Sequence, residues 1–411
     1  MSDADIAATA LKRESWLDAF LRYPLAHGVR AEDARQRLAR LDAALYSYWR
    51  LGERVIALWS SNGSSIDLLG FPHYALADYF SGVRPVVDEP DPAQFIDTIV
   101  SGPKHAEADA FREHARKLQV EPVVIDLPFD PVNDLGSELV DALVRRYSVS
   151  LFHDRAVVLL DIVGFSTYAP IEQATLLNSL SYSINSAYDK LAGLEMRVQF
   201  ARSPTGDGFY IWNRAADSQA NVELYKLMLL LLADNAMARG HARTRAVPEL
   251  RSAFHVGAHY EFYQPEGLAP SLSSYLVGQV TIDLARMLDQ AMPGQILIGD
   301  FGAGSNGPNE EPSGVMLRAP EFVARMQDEV SDMAGIRVSG ESVREIRCYL
   351  TGPLRADGLY GISRYSVLDK HGARRRMFNA KINIHRLHAE PIYLGIRDID
   401  VRGFAVEHLD A

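Results

Sequence analysis

The sequence predicts a mixed α/β protein, and three patterns carry that prediction. Residues 156–160 form a continuous apolar run, AVVLL, which is typical of a buried strand. Downstream, Gly206-Asp207-Gly208 is a hairpin-turn signal between two strand-like segments, residues 196–200 and 208–212. Upstream, residues 1–147 alternate between helical and strand-like patterns. Helices and strands therefore mix along the whole chain.

Three parts are predicted along the 411 residues. Residues 1–147 are assigned to an N-terminal mixed α/β domain of unknown role. Residues 148–370 form the principal domain. Residues 371–411, in which the segment FNAKINI alternates in polarity, are predicted to be a C-terminal β extension packed on the principal domain.

The composition excludes several classes of protein. A hydrophobic content of 47% and a charged content of 23% are ordinary for a globular protein. The net charge of −11 argues against a nucleic-acid partner. The one cysteine, Cys348, excludes internal disulfides and cysteine-rich zinc sites and fits a reducing cytoplasm. No secretory signal and no apolar run long enough to cross a membrane is found, so we expect a cytoplasmic protein with no membrane partner.

The apolar run stops on a carboxylate, Asp161, and a glycine turn follows. The turn residues are Ile162, Val163, Gly164, Phe165 and Ser166. Glycine lets the backbone approach a ligand closely, and Ser166 is predicted to cap a helix that begins near Tyr168. A strand-end carboxylate followed by such a turn can hold a divalent cation and a polyphosphate.

The hairpin turn presents a second carboxylate, Asp207. If the hairpin pairs beside the first strand, Asp161 and Asp207 converge. Two carboxylates and the phosphates of a nucleotide make a Mg²⁺ or Mn²⁺ site. Each motif alone is more often an ordinary turn or cap, so their order and spacing decide the interpretation.

Five motifs together resemble those of class III nucleotidyl cyclases. In chain order they are LLDIVGFS, PTGDGFYIW, LRSAFHVG at 250–257, GQVTIDLAR at 278–286 and PGQILI at 293–298. The resemblance implies a ferredoxin-like βαββαβ core, an antiparallel sheet with helices, behind an N-terminal α/β extension. It also implies that the 3′-hydroxyl of a nucleoside triphosphate attacks its own α-phosphate and expels diphosphate.

The resemblance also assigns site residues. Two Mg²⁺ or Mn²⁺ ions per site would be held by Asp161, Asp207 and the carbonyl of Ile162, and the turn from Val163 to Ser166 would contact the nucleotide. Arg286 matches the arginine that stabilises the transition state. The sites of this family lie at a head-to-tail dimer interface, so a homodimer with two equivalent sites is implied. A late basic residue is expected on the triphosphate: Arg355 is the first candidate, and Arg364 or Lys370 could serve instead.

Three positions depart from the family pattern and concern the nucleotide base. Ser203 stands where adenylyl cyclases have Lys and guanylyl cyclases Glu, Tyr275 stands at the second base-reading position, and Ile282 replaces the usual Asn. A small Ser203 opposite a bulky Tyr275 would suit a smaller ring. The chain therefore resembles the pyrimidine cyclases of Pycsar anti-phage defence, which implies UTP or CTP as substrate. The cyclic product would be a second messenger for a separate effector protein.

Two alternatives stay open at this point. The chain could be an unusual adenylate or guanylate cyclase that reads purines through other groups. It could also be a non-catalytic nucleotide-binding regulatory module. Retention of Asp161, Asp207 and Arg286 favours catalysis, because degenerate domains tend to lose such residues.

Overall fold

The computed structural model of the chain describes residues 29–194, 200–214, 219–265, 272–302, 318–369 and 372–409. These residues divide into two compact units. One lies within Met1–Leu151 and Tyr260–Tyr275, and the other within Phe152–His259 and Leu276–Ala411.

The first unit is built on a three-stranded antiparallel sheet with the strand order β1-β2-β3. Its strands are β1 Arg54–Asn62, β2 Ser65–Pro72 and β3 Val123–Asp126. Its helices are α1 Ala31–Trp49, α2 Ala75–Phe80, α3 Pro92–Ser101, α4 Ala108–Leu118, α5 Pro131–Leu135 and α6 Ser137–Arg145. Helix α1 buries Leu38, Leu41 and Leu45 at helical spacing against this sheet and α6. Residues 29–147 alternate between helices and strands, and residues 1–28 of the predicted N-terminal domain lie outside the described residues.

The second unit is organised around a large sheet to which the described part of the chain contributes twelve strands, of which residues 150–151, 260–265 and 272–275 belong to the first unit. They are β4 Ser150–Ile162, β5 Phe200–Pro204, β6 Gly208–Asn213, β7 Leu250–Pro265, β8 Leu272–Val277, β9 Ile296–Gly299, β10 Arg337–Val338, β11 Glu341–Leu350, β12 Ile362–Leu368, β13 Arg374–Arg386, β14 Ile392–Leu394 and β15 Ala405–Leu409. The main path runs β10-β11-β13-β9-β7-β4-β6-β5. The helices are α7 Pro170–Ala192, α8 Ala220–His241, α9 Gln279–Leu288 and α10 Ala319–Glu329.

A ferredoxin-like core lies within this sheet. Along the chain the elements run β4-α7-β5-β6-α8-β7, and in the sheet the four strands are ordered β7-β4-β6-β5. That is the βαββαβ arrangement. The predicted fold class, mixed α/β with an antiparallel-rich sheet and a ferredoxin-like core, is confirmed.

The two faces of β4 are covered by different helices. Val158 and Leu160 pack with α7 and α8, whereas Val157 and Leu159 pack with α9. Because side chains alternate along a strand, Asp161 lies on the α9 face. The Asp161 carboxylate therefore lies on the face of the sheet that is covered by α9, the helix that contains Arg286.

The C-terminal segment enters the main sheet. Strand β13, which contains the segment FNAKINI, pairs antiparallel with both β9 and β11. It is consequently an internal strand, with β14 paired to one of its ends. None of the helices in the described ranges is apolar over a sufficient length to cross a membrane.

Candidate nucleotide and metal site

Asp161 and Asp207 are brought together by the pairing of β4 with β6. In this antiparallel ladder Asp161 lies opposite Gly208, and the Ile162 N–H donates to the Asp207 carbonyl at 3.0 Å. Strand β6 also pairs with β5, which confirms the hairpin from residue 200 onward. Residues 196–199 of the predicted first strand lie outside the described residues.

Gly208 is required by the closeness of the two strands. A Cβ built on it would lie 1.8 Å from the Leu160 carbonyl oxygen, which is backbone and cannot move aside. Gly206, two residues earlier, has a φ of +101°, a value that side-chain-bearing residues rarely adopt. The turn that presents Asp207 therefore depends on both glycines.

We expect Gly208→Ala to destabilise the protein by about 2–4 kcal/mol, because the strands must separate to admit the methyl group. The matched control is Gly240→Ala, since Gly240 lies in α8 with open space around its Cβ position. That control should be neutral or stabilising. Urea unfolding of both variants measures the difference, and equal midpoints would contradict the close approach of β4 and β6.

The Asp161 carboxylate is partly desolvated and held by an arginine. Its side chain is 14% exposed, and Arg251 Nε donates to Asp161 Oδ2 at 2.5 Å. Burial raises the pKa of Asp161, the Arg251 guanidinium acts in the opposite direction, and the neighbouring charge of Asp207 adds to the rise. The net pKa lies above the usual value. Burial and the neighbouring charge of Asp207 both disfavour the ionised form of Asp161, so nearby positive charge stabilises this pair of carboxylates.

Arg251 is the residue that sequence reasoning missed, although it stands inside one of the quoted motifs. It lies on β7, and its Nη1 also donates to the Ala291 carbonyl at 3.2 Å. Its neighbours Leu250 and Ser252 are buried. An arginine between buried residues on a strand indicates a paired charge, and that signal could have identified it.

The donor chemistry of the two aspartates fits Mg²⁺ or Mn²⁺. Both ions prefer oxygen ligands, and Mg²⁺ is commonly bound through one or two carboxylates with waters and substrate phosphates completing the sphere. Within the described ranges no group of three or more His, Cys, Asp or Glu side chains could hold a metal by itself. A metal held by Asp161 and Asp207 would thus need further oxygens, such as the Ile162 carbonyl and nucleotide phosphates.

The glycine turn after β4 has a different shape from the one predicted. Gly164 has a φ of +65°, residues Phe165–Thr167 form one 3-10 turn, and the Val163 N–H donates to the Glu249 carbonyl at 2.9 Å. Gly164 and Ser166 are exposed. Their contact with a nucleotide stays a prediction.

The helix that follows this turn begins later than the sequence suggested. Helix α7 starts at Pro170, and its N-cap is Ala169, whose N–H donates to Glu172 Oε2 at 2.9 Å. The prediction that Ser166 caps the helix is therefore wrong, because the 3-10 turn separates Ser166 from the helix.

Arg286 lies near the end of α9. Helix α9 buries Val280 and Leu284 against the sheet. The Arg286 side chain is 28% exposed, and its Nη1 contacts Asp289 Oδ2 at 3.1 Å. An exposed ion pair of this kind contributes little to stability, and its arginine can readily pair with another anion instead. Within one chain Arg286 thus pairs with Asp289 rather than with Asp161 or Asp207.

Ile282 is one of the three positions that depart from the family pattern. Its neighbour Asp283 takes part in a network of charged and polar side chains. Asp283 bonds to Arg375, lies 3.5 Å from His255 Nε2, and accepts from Gln279 Nε2 at 3.0 Å. Burial by itself would raise the pKa of Asp283, but the hydrogen bonds from His255 and Gln279 and the nearby positive charges lower it overall. Ile282 is 48% exposed and offers no polar atom to a ribose.

The base-reading candidates lie on separate elements. Ser203 pairs across the hairpin with Tyr210, whose hydroxyl donates to the Thr281 carbonyl at 3.1 Å. Tyr275 lies on β8, is 40% exposed, and stacks on Phe262 with ring centroids 5.8 Å apart. Because Ser203 and Tyr275 belong to different units, their apposition stays a prediction. Tyr210 was not foreseen, although its even spacing from Gly208 places it on the α9 face.

No late basic residue is identified as the triphosphate contact. Arg355 forms an ion pair with Asp357 at 3.1 Å. Arg364 contacts Glu407 at 2.7 Å and Asp300 at 3.5 Å. Lys370 lies outside the described residues.

No protein-family model matches the chain. No curated protein matches it either. Among solved structures, the guanylate cyclase domain of RhGC from Catenaria anguillulae in complex with GTP is 10% identical over 58% of this chain and 98% of its own, with a TM-score of 0.34. The adenylyl cyclase CyaB from P. aeruginosa is 11% identical over 57% of this chain and 95% of its own, with a TM-score of 0.31. Both TM-scores lie below 0.5, so neither likeness assigns a function to this chain.

Proposed function

We propose that this protein is a nucleotide cyclase that converts a pyrimidine nucleoside triphosphate, UTP or CTP, to the 3′,5′-cyclic monophosphate and diphosphate. The observation that carries the proposal is the convergence of Asp161 and Asp207 at the end of β4 and the turn before β6. These two residues come from the two motifs whose order resembles the metal motifs of class III cyclases. A ferredoxin-like core in the predicted place supports the same reading.

Asp161 and Asp207 would hold two Mg²⁺ or Mn²⁺ ions, with the Ile162 carbonyl as a further ligand. Bound divalent ions activate a hydroxyl nucleophile and neutralise phosphate charge. The protein's part is to hold the carboxylates in place and to keep them ionised. Arg251 serves the second purpose, because its guanidinium offsets the rise that burial imposes on the pKa of Asp161.

Two arginines would stabilise the phosphates. Arg251, bonded to Asp161, is close enough to the metal site to exchange that carboxylate for a triphosphate oxygen when cations arrive. Arg286 would neutralise the charge that develops on the α-phosphoryl oxygens, a role for which a permanently charged planar fork is suited. The exposed pair of Arg286 with Asp289 leaves it available for that role.

The proposed assembly is a head-to-tail homodimer. In it, the Asp161 and Asp207 carboxylates of one subunit face the Arg286 guanidinium of the other. Each subunit then contributes to two equivalent sites.

The pyrimidine assignment rests on the residues at the base-reading positions. Neither Lys nor Glu stands at Ser203, and the exposed Ile282 cannot donate a hydrogen bond. Tyr210 is the cross-strand neighbour of Ser203. We further propose that the cyclic product acts as a second messenger in anti-phage defence, through a separate effector protein.

Incubating the purified full-length protein with ATP, GTP, CTP and UTP in turn, with Mn²⁺, tests the proposal. We expect a cyclic pyrimidine product, formed at least about 10-fold faster than any cyclic purine, because a pocket shaped for the smaller ring excludes the larger one. Mass spectrometry of the products is the measurement, with Asp161→Ala as the inactive control. A cyclic purine as the main product would refute the pyrimidine assignment. No product from any nucleotide would favour a regulatory module.

A further inference from the structure

The peptide group between Ala291 and Met292 is held at both of its ends. Its carbonyl accepts a hydrogen bond from Arg251 Nη1 at 3.2 Å, and its N–H donates to Gln295 Oε1 at 2.9 Å. Because the C=O and the N–H of one peptide group lie in one plane, turning the N–H away from Gln295 also turns the carbonyl away from Arg251. The Gln295 side chain therefore fixes the orientation of an acceptor of Arg251.

The turn that contains this peptide group is joined to β7 on both sides of Arg251. The Gly294 N–H donates to the Leu250 carbonyl at 2.8 Å, and the Ser252 N–H donates to the Gln295 carbonyl at 3.0 Å. These two backbone hydrogen bonds hold the turn beside Arg251. They do not involve the peptide group that Arg251 contacts, so the tilt of that group is set by the Gln295 side chain.

Gln295 is itself oriented by a series of buried side chains. Gln295 Nε2 donates to Asn379 Oδ1 at 3.1 Å, and Asn379 Nδ2 donates to Thr351 Oγ1 at 2.9 Å. The Thr351 hydroxyl donates in turn to Asp398 Oδ1 at 3.3 Å. Gln295 and Asn379 have no exposed surface, and Thr351 is 6% exposed. We call these four side chains the Gln295–Asp398 network.

The acceptors at the far end of this network allow only one direction of donation. A carboxylate and a backbone carbonyl can only accept, and Asn379 Nδ2 donates to the Ile396 carbonyl at 2.9 Å as well as toward Asp398 through the threonine. The Asn379 amide must therefore present its oxygen to Gln295, and Gln295 must present its own oxygen to the Met292 N–H. Hydrogen bonds that run in one direction strengthen one another. The network thus specifies which way the Gln295 amide faces.

The far end of the network lies in the C-terminal segment. Asp398 begins the 3-10 turn Asp398–Asp400 and also accepts a hydrogen bond from the Tyr365 hydroxyl on β12. The two middle members of the network lie on β13 and directly after β11. The network consequently links the C-terminal segment, through the interior of the sheet, to Arg251 and so to Asp161.

We propose that Gln295 is a positioning residue that holds Arg251 in the orientation needed to bind the triphosphate, and that the Gln295–Asp398 network holds Gln295. This inference rests on the proposed function, in which Arg251 exchanges Asp161 for a phosphate oxygen when cations bind. When Arg251 changes partners, the Ala291 carbonyl is the contact that keeps its guanidinium in place. The C-terminal segment thereby contributes to phosphate binding through Arg251.

A crystal structure of Gln295→Met tests the positioning without any nucleotide. Methionine keeps the length of the side chain but offers no comparable acceptor to the Met292 N–H. We expect the peptide group to turn and the contact of Arg251 Nη1 with the Ala291 carbonyl to be lost. If that contact is preserved in Gln295→Met, the inference is overturned, whether or not the protein is a cyclase.

Binding of the Mn²⁺ complex of inorganic tripolyphosphate to the full-length protein measures the consequence, since this probe carries phosphates but no base. In calorimetry we expect Arg251→Ala to raise its Kd by at least about 10-fold and Gln295→Met to raise it by about 3- to 10-fold. In the Arg251→Ala background, Gln295→Met should change the Kd by less than about 2-fold, because a residue that acts through Arg251 has no effect once Arg251 is absent. An equal effect in both backgrounds would show that Gln295 acts elsewhere and would overturn the proposal.

The matched control is Gln327→Met on α10. The Gln327 side chain also joins two backbone groups, donating to the Ile346 carbonyl and accepting from the Cys348 N–H, each at 3.0 Å. This variant should leave the Kd within about 2-fold of wild type and the Arg251 contact intact. Thermal melting checks that each variant is folded. If Gln295→Met does not fold, Thr351→Val, which removes one hydroxyl from the network, takes its place in the same cycle with the same expected direction.

Failure of the proposed function gives a different result from failure of this inference. If the wild type forms no cyclic nucleotide, yet tripolyphosphate binding depends on Gln295 only through Arg251, the positioning role stands at a phosphate site of another kind. If the wild type forms a cyclic nucleotide but Gln295→Met leaves the Kd of tripolyphosphate unchanged, the inference alone is overturned. No binding of tripolyphosphate by the wild type would refute both.

Discussion

Asp207→Asn is expected to lower the rate of cyclic nucleotide formation by on the order of 10³-fold while leaving the fold intact. Asparagine keeps the shape of the side chain in the turn but removes the charge that a divalent cation requires. The backbone contact of residue 207 with Ile162 uses the carbonyl and is unaffected. The measurement is turnover at saturating Mn²⁺, together with Mn²⁺ affinity, which is expected to fall in parallel.

The matched control for this experiment is Asp328→Asn, an identical change at an exposed position on α10. It should leave turnover within about 2-fold of wild type, as surface substitutions away from a site usually do. If Asp207→Asn also stayed within that range, Asp207 would not be a metal ligand. A wild-type protein that binds nucleotide without turning it over, and an Asp207→Asn variant that binds it equally well, would identify a regulatory module.

The parts of the site that were predictable from sequence are those encoded locally. The apolar run before Asp161 specifies a buried strand by itself, and Gly206 and Gly208 specify the hairpin turn within three residues. Pairing of the hairpin with the first strand was a condition of the predicted convergence, and the structure shows that β6 pairs with β4. The ferredoxin-like core was implied by the resemblance of the five motifs to those of class III cyclases, and the order of the elements in the structure agrees with it.

The parts that sequence reasoning missed depend on contacts between distant segments. Arg251 lies 90 positions from Asp161 in the chain, and only the sheet order β7-β4 brings them together. Such contacts leave no periodic signal. The error at Ser166 has a different origin: N-cap preferences do not distinguish a short 3-10 turn from the first turn of an α-helix.

Arg286→Ala is expected to reduce turnover by on the order of 10²- to 10³-fold with little change in Mn²⁺ affinity. The residue contributes no metal ligand, and within one chain its guanidinium pairs with the exposed carboxylate of Asp289. Arg286→Lys should recover little of the loss, because an ammonium cannot match the two-pronged geometry of a guanidinium on a phosphoryl group. Unchanged turnover in Arg286→Ala would remove this residue from the catalytic site.

Mixing two inactive variants then tests where Arg286 acts. In a head-to-tail dimer, one Asp207→Asn subunit and one Arg286→Ala subunit form one site with both defects and one intact site. With free exchange of subunits, the mixture is expected to regain about one quarter of wild-type activity. The matched control, Asp207→Asn mixed with Asp161→Ala, should regain none, because both defects lie on the metal side and every site contains one of them. If neither mixture regained activity, the carboxylates and Arg286 of a single site would lie on one chain. The cyclase reaction would then take place within a single subunit.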